Sequence, residues 1–347
     1  VPRVDIDGSF GEGGGQILRT SLALSLITQT PVRIRNLRRG RAKPGLRRQH
    51  LTALHAAARI GNADVEGDSV GSTEIAFTPS RMEAGEYEFD VGTAGSTTLV
   101  FQTILPALLQ CSGPSRVTLI GGTHNHGGPP WDFIDTVFLP VLRQMGATVA
   151  ARLERYGFAP AGGGRWAAEI RPSGLHPVEL RDRGEPEALN VRAIVANLPV
   201  SIAERELSII RENLGWAEPA YGIETVESVG PGNVVMIAGR FRHASELSTG
   251  FGQRGVKAES VARQPLECWN RYDRAVVPVG EHLADQLLLP MAIAGGGSML
   301  TTKPTLHTTT NAEVISKFLP IRFRMSESVD GRWEIVAEGA DFQQRVD

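Results

Sequence analysis

Two rhythms of apolar residues alternate along the chain. The first is helical and follows glycine. Gly11-Glu-Gly-Gly-Gly-Gln-Ile-Leu-Arg-Thr-Ser-Leu-Ala-Leu24 reads as a glycine turn running into an amphipathic helix. Gly92-Thr-Ala-Gly-Ser-Thr-Thr-Leu-Val-Phe-Gln-Thr-Ile-Leu-Pro106 repeats turn and helix, with Gly11 and Gly14 matched by Gly92 and Gly95. Gly280-Glu-His-Leu-Ala-Asp-Gln-Leu-Leu-Leu-Pro-Met-Ala292 shares the Gln-x-x-Leu-Pro element, Gln286 to Pro290 echoing Gln102 to Pro106. The second rhythm has period two: Val32 and Ile34 alternate with Arg33 and Arg35, and Val117 to Ile120 and Trp166 to Ile170 are short and β-rich. Helical spacing returns over Leu51 to Ile60 and Phe133 to Met145. Three copies of turn plus helix among such strands predict an α/β (α+β) fold of repeated units, each a sheet covered on one face by two helices.

The texture changes near residue 183. After the polar stretch Arg181-Asp-Arg-Gly-Glu-Pro-Glu187 come a strand (Val191 to Ala196), a charged helix (Ala203 to Asn213), two strands (Ile223 to Val229 and Asn233 to Gly239) and a helix near Ala258. This βαββα pattern predicts a small α/β domain inserted at 183–276. The core of repeated units then occupies 1–182 and 277–338, and 339–347 form a C-terminal tail.

A chain of 347 residues, 41% hydrophobic and 21% charged, buries a sizeable core. No apolar run reaches membrane-spanning length and no leader pattern opens the chain, so a soluble cytoplasmic protein without a membrane partner is expected. Cys111 and Cys268 lack a second cysteine at metal-ligand spacing and are expected as buried free thiols in a reducing compartment. Oligomeric state is left open, a homodimer included.

Charge changes the picture locally. The net charge is only -2, yet residues 13 to 63 hold no aspartate or glutamate and carry Arg19, Arg33, Arg35, Arg38, Arg39, Arg41, Lys43, Arg47, Arg48 and Arg59. A lone acid, Glu12, precedes that zone inside the glycine run. Backbone N–H groups and guanidinium forks that meet phosphates, with one carboxylate to hold a divalent cation, account for the layout.

Five stretches taken together resemble the RNA 3′-terminal phosphate cyclase family. They are Asp7-Gly-Ser-Phe-Gly-Glu-Gly-Gly-Gly-Gln-Ile-Leu-Arg19, Arg38-Arg-Gly-Arg-Ala-Lys-Pro-Gly-Leu-Arg-Arg-Gln-His50, Gly92-Thr-Ala-Gly-Ser96 running to Gln102, Gly157-Phe-Ala-Pro-Ala-Gly-Gly-Gly164, and Leu306-His307. They occur in the family's order and span the chain from residue 5 to about 335.

The resemblance implies ATP-dependent conversion of an RNA 3′-phosphate end to a 2′,3′-cyclic phosphate, by way of a covalent histidine-AMP and an adenylated RNA end. His307 matches the nucleophile. Glu12 would hold Mg²⁺ or Mn²⁺ on the ATP phosphates. Arg19, Arg38, Arg41, Gln49 and His50 match positions that receive the RNA phosphate. Gln102, Pro129, Phe133, Asp285 and Gln286 match the adenylate pocket, and His282 stands where the family usually has a tyrosine beside the adenine. Tyr156 likewise replaces a common arginine or histidine. The remaining basic residues Arg33, Arg35, Arg39 and Arg47 read as solvated charges that attract the RNA backbone generally.

His124-Asn-His126 looks like a metal pair but lacks a third ligand, and the triple glycines at 162–164 and 295–297 read as tight turns. Two other functions compete. One is a non-catalytic RNA-binding or ribosome-assembly factor on the same fold, against which His307 and Glu12 count. The other is an enolpyruvyl transferase, suggested only by repeat style.

Overall fold

The structure, a computed structural model, describes residues 2–339. Four sheets of four strands each build it. In the first unit β1 (Val4–Asp7), α1 (Gly15–Thr28), β2 (Val32–Arg35), α2 (Arg48–Ile60), β3 (Asp64–Glu66) and β4 (Ile75–Thr78) give the strand order β1-β2-β4-β3. β1 and β2 are parallel and the other pairs antiparallel. A parallel pair needs a long crossover, and α1 supplies it.

The second unit repeats the plan. It comprises β5 (Glu86–Asp90), α3 (Thr97–Leu109), β6 (Ser115–Gly121), α4 (Trp131–Phe133), a π-helical turn (Ile134–Phe138), α5 (Leu139–Gln144), β7 (Thr148–Arg155) and β8 (Gly164–Arg171), ordered β5-β6-β8-β7. The third unit opens with β9 (Glu179–Leu180) and is then interrupted. The interruption holds β10 (Pro186–Ala196), α6 (Ser201–Leu214), β11 (Tyr221–Thr225), β12 (Gly232–Phe241), β13 (Ser245–Phe251) and α7 (Ala258–Ala275). Its sheet runs β11-β10-β12-β13 and encloses a separate apolar cluster that includes Val195, Ile210, Val235 and Trp269. The third unit resumes with α8 (Glu281–Ile293), β14 (Gly296–Thr301), α9 (Leu306–Ser316), β15 (Ile321–Glu327) and β16 (Trp333–Gly339). β9 pairs in parallel with β14 across the whole interruption, Glu179 opposite Ser298.

The repeats read from sequence are therefore three copies of one topology, and the helices after the three glycine turns are α1, α3 and α8. They are not amphipathic, as their spacing suggested. In α1 every residue from Gln16 to Ile27 except Arg19 is buried, and α3 is buried nearly as completely. Helices apolar all round belong in an interior, and here α1 packs on α3 and α9, while α8 packs on α9. The interruption holds one more strand than the βαββα pattern: β13, Ser-Glu-Leu-Ser-Thr-Gly-Phe, has no alternating apolar face to announce it. Leu306 to Ser316 is helix α9, capped at Thr305, whose hydroxyl accepts from the Thr308 N–H at 3.3 Å. Gly339, assigned to the tail, ends β16; the rest of the tail, 340–347, lies outside the described residues. Both cysteines are free, but only Cys111 is buried; Cys268 is half-buried and lines the cavity described below.

Candidate active site

The glycine run is tight for a stated reason. Gly11 and Gly13 take left-handed backbone conformations, φ 55° and 60°, and a Cβ on Gly14 would run into the Glu12 carboxylate. A Cβ on Gly15 would run into His50 Nε2 and lie 2.8 Å from an Arg19 guanidinium nitrogen. Absent side chains thus let Glu12, Arg19 and His50 converge at the start of α1. The turn is fixed from the other side by α9, where Thr310 Oγ1 accepts from the Glu12 N–H at 2.9 Å.

His307 is the second residue of α9 and reaches the same place. Its Nε2 lies 3.8 Å from Glu12 Oε1, and its Nδ1 lies 3.2 Å from Gln16 Oε1. Half-burial, then Arg19, Arg41 and His282, lower its pKa, so the imidazole is neutral at physiological pH. The Glu12 side chain is only 8% exposed; Oε1 pairs with Arg41, and Oε2 is buried without a hydrogen-bond partner. An orphaned carboxylate oxygen here has spare capacity for a cation. Among the described residues no group of three or more His, Cys, Asp or Glu gathers to hold a metal, so a cation at Glu12 would draw its other ligands from phosphate and water.

The basic residues divide by what they touch. Arg19 opens onto the cavity beside Asp285, and burial pushes its pKa down to about 10, which leaves it charged. Arg41 also donates to the Glu12 carbonyl at 3.2 Å. Arg38 donates to the Lys43 and Gly45 carbonyls, both at 2.8 Å, bracing the loop. Gln49 spends its oxygen on the Ser96 N–H at 3.0 Å, tying α2 to the second glycine turn. His50 is buried, and its Nδ1 accepts from the Arg47 N–H at 3.1 Å. Burial, with Arg19, Arg38 and Arg47 nearby, drives its pKa down to about 3. It is therefore a neutral imidazole with the proton on Nε2, a donor aimed over Gly15. Arg33 and Arg35 both pair with Glu74, just before β4. They are therefore not free solvated charges, contrary to expectation.

Behind His307 lies a cavity of about 610 Å³ between α1, α3, α8 and the interrupting segment. Gln102, Pro129, Phe133, His282, Asp285 and Gln286 all line it, as do Gln16, Arg19 and Lys303. Gln102 Nε2 donates to Gln286 Oε1, and Gln286 Nε2 donates to the His282 carbonyl at 2.9 Å. Phe133 is 2% exposed, and the His282 side chain 67%. Asp285 is half-buried and accepts from Gln16 Nε2 at 2.9 Å. Burial raises its pKa to about 7 against the opposing pull of Arg19 and Gln16. Glu12, Arg38, Arg41, Gln49 and His50 are not part of the cavity wall; among them Glu12 meets His307, and Arg41 meets Glu12.

His124 and His126 do not converge. His124 is buried, with Thr123 Oγ1 and Asp132 Oδ2 each 2.7 Å from its ring nitrogens, while His126 is exposed beside Gln253. Asp132 also accepts from Arg192 on β10 at 2.6 Å, and Arg192 grips Glu224 on β11 with two nitrogens. The ring of Tyr156 stacks on His124, centroids 5.0 Å apart, within this network. No helix of the described residues is long and apolar enough to cross a membrane.

Gln16 was missed by sequence reading. Its position three residues before Arg19 put it on the same helix face, but no partner could be assigned until α8 and α9 were placed.

The family model for RNA 3′-terminal phosphate cyclase matches residues 10–325. A relative in Ectopseudomonas mendocina bearing that name is 47% identical over 92% of this chain and 93% of its own. One in Koribacter versatilis is 48% identical over 93% and 91%. Among solved structures, the enolpyruvyl transferase NikO from Streptomyces tendae superposes with a TM-score of 0.40 at 12% identity, over 96% of this chain and 48% of that one, too loosely to weigh on fold or function. At such identity over nearly the whole length, the chain belongs to the RNA 3′-terminal phosphate cyclase family.

Proposed function

We propose that the chain is an ATP-dependent RNA 3′-terminal phosphate cyclase whose nucleophile is His307. The observation that carries this is a neutral imidazole at the cavity mouth, its Nε2 turned toward Glu12 and away from the partner that holds Nδ1. Nε2 attacks the α-phosphorus of ATP; the N–P bond forms as the bond to the β-phosphate oxygen breaks and pyrophosphate leaves. An oxygen of the RNA 3′-phosphate then attacks the same phosphorus, and the N–P bond breaks. The adjacent 2′-hydroxyl finally attacks the activated 3′-phosphorus, and AMP departs. A phosphate monoester has no good leaving group of its own, and the covalent relay supplies one.

In this reading Gln102, Pro129, Phe133, His282, Asp285 and Gln286 hold the adenosine. Arg19 stands between the cavity and the basic loop. Arg38, Arg41, Gln49 and His50 receive the RNA phosphate, and His50 does so as an uncharged donor. Glu12, with its orphaned oxygen, holds Mg²⁺ or Mn²⁺, which when bound neutralises charge on the triphosphate. Residues 183–276 form an inserted domain, and β13 and α7 lend it a share of the cavity wall.

The non-catalytic alternative has no use for an imidazole and an orphaned carboxylate oxygen brought together from residues 12 and 307. The test is incubation with α-labelled ATP. Acid-labile, alkali-stable label should enter the protein and vanish in His307→Ala; label absent from the native chain, or indifferent to that substitution, refutes the proposal.

A further inference from the structure

Gln16 is a buried carboxamide with one neighbour at each end. Its Nε2 donates to Asp285 Oδ2 at 2.9 Å, and its Oε1 faces His307 Nδ1 at 3.2 Å. Above about pH 7, the value to which burial raises its pKa, Asp285 is a carboxylate that only accepts, and it then orients the amide with its nitrogen inward and its oxygen toward the imidazole. An amide oxygen also only accepts. The proton of the neutral ring must then sit on Nδ1, and the lone pair is left on Nε2.

The three helices that carry these groups are pinned to one another beside the relay. Asn311 on α9 donates to the Asp285 carbonyl on α8 at 2.8 Å, and Thr20 on α1 donates to Asn311 Oδ1 at 2.7 Å. Thr20, Asn311 and Gln16 are all buried, so the amide has little room to turn away.

We infer that Gln16 is a positioning residue for the nucleophile, transmitting the polarity of Asp285 to His307 and fixing the tautomer that leaves Nε2 able to attack phosphorus. This rests on the reading of His307 as the nucleophile. A neutral imidazole with no partner shares its proton between both nitrogens, and only one of the two forms has a reactive Nε2. A partner that orients a functional imidazole from behind is worth about 10–100-fold where the ring ligates metal, and a similar factor is expected here.

The experiment pairs spectroscopy with kinetics on the full chain. Nitrogen-15 spectra of labelled histidine at pH 8, without nucleotide, should report His307 as the Nδ1–H form in the native protein. They should report a mixture in Gln16→Met. Adenylylation of His307 in that variant should fall about 10–100-fold in kcat with KM for ATP changed less than about twofold. Gln16→Glu keeps an acceptor against Nδ1 and should restore the tautomer, and with it more of the rate than Gln16→Met retains. An unchanged tautomer in Gln16→Met overturns the inference whatever the rate does, and so does a loss of rate that appears wholly in KM. If Gln16→Met fails to fold, Gln16→Glu decides alone: an Nε2–H ring in that variant refutes the role. Failure of the native chain to accept AMP would refute the cyclase reading instead, and the tautomer measurement would stand apart from it.

Discussion

The side-chain amides of Gln102 and Gln286 meet across the cavity, the first donating to the second. They occupy the same place in two copies of one repeated unit, each four residues ahead of a helix proline at Pro106 or Pro290. Equivalent faces of α3 and α8 have therefore been turned toward each other to make one site. Because the two amides share a bond, they act as a unit. Gln102→Ala and Gln286→Ala should each raise KM for ATP, by roughly tenfold for the loss of one hydrogen bond near a charged ligand. The double variant should cost less than the product of the two, and an additive cycle would show that the amides work separately.

The pH dependence of self-adenylylation should be shifted toward acid. The attacking form is the neutral imidazole, and half-burial plus neighbouring cations lower its pKa below the usual 6.5. The rate should rise with pH through a midpoint below 6.5. A profile still rising steeply above pH 7 would contradict this.

Glu12→Gln keeps the shape of the side chain and removes its charge. The half-saturating concentration of Mg²⁺ or Mn²⁺ for adenylylation should increase, on the order of 10-fold or more. His307 remains in place, so excess metal should recover much of the rate. No change in metal demand would remove Glu12 from the cation site.

His50 and Arg41 should separate by their salt dependence. His50 is uncharged at any working pH, so His50→Phe should weaken transfer of AMP to the RNA end without altering the salt slope of RNA binding. Arg41→Gln should reduce that slope by about one. Equal slopes in both variants would mean that Arg41 serves Glu12 alone.

Glu246 gives a stability prediction. It is buried next to Gly280 at the start of α8, its Oε2 has no partner, and burial raises its pKa to about 8. A folded-state acid pKa above the unfolded one means that the folded chain keeps a proton the unfolded chain loses, so stability falls as pH rises from about 4.5 to 8. Glu246→Gln mimics the protonated form. Its melting temperature should match the native value at pH 5 and exceed it by roughly 2–4 °C at pH 9.

Much of this was legible in the residues. The glycine turns and the Gln-x-x-Leu-Pro echo located α1, α3 and α8 and implied one repeated plan, because turn chemistry and helical spacing are local. The amphipathic reading of those helices failed, since burial on all sides depends on what packs around them. β13 was invisible because an edge strand held by β12 alone and lined with Ser, Thr and Gly has no apolar alternation. Within the proposed site, the acid-free arginine zone pointed to where phosphate would bind. It did not reveal that Arg33 and Arg35 share the Glu74 carboxylate, which needs strand register. Gln16 escaped for the same reason: its two partners come from residues 285 and 307 and meet it only in three dimensions.

The pairing of β9 with β14 has a consequence for how the chain is made. Two residues of strand must wait for a partner synthesised roughly 120 positions later, and a floppy connection of that length resists closure. An intervening segment that collapses first on its own apolar cluster brings its two ends near each other and shortens the effective tether. Completion of the last sheet, and with it the seating of α9, is thereby placed at the end of the folding sequence. A half-made chain would have its arginine loop long before it had His307 to put beside it.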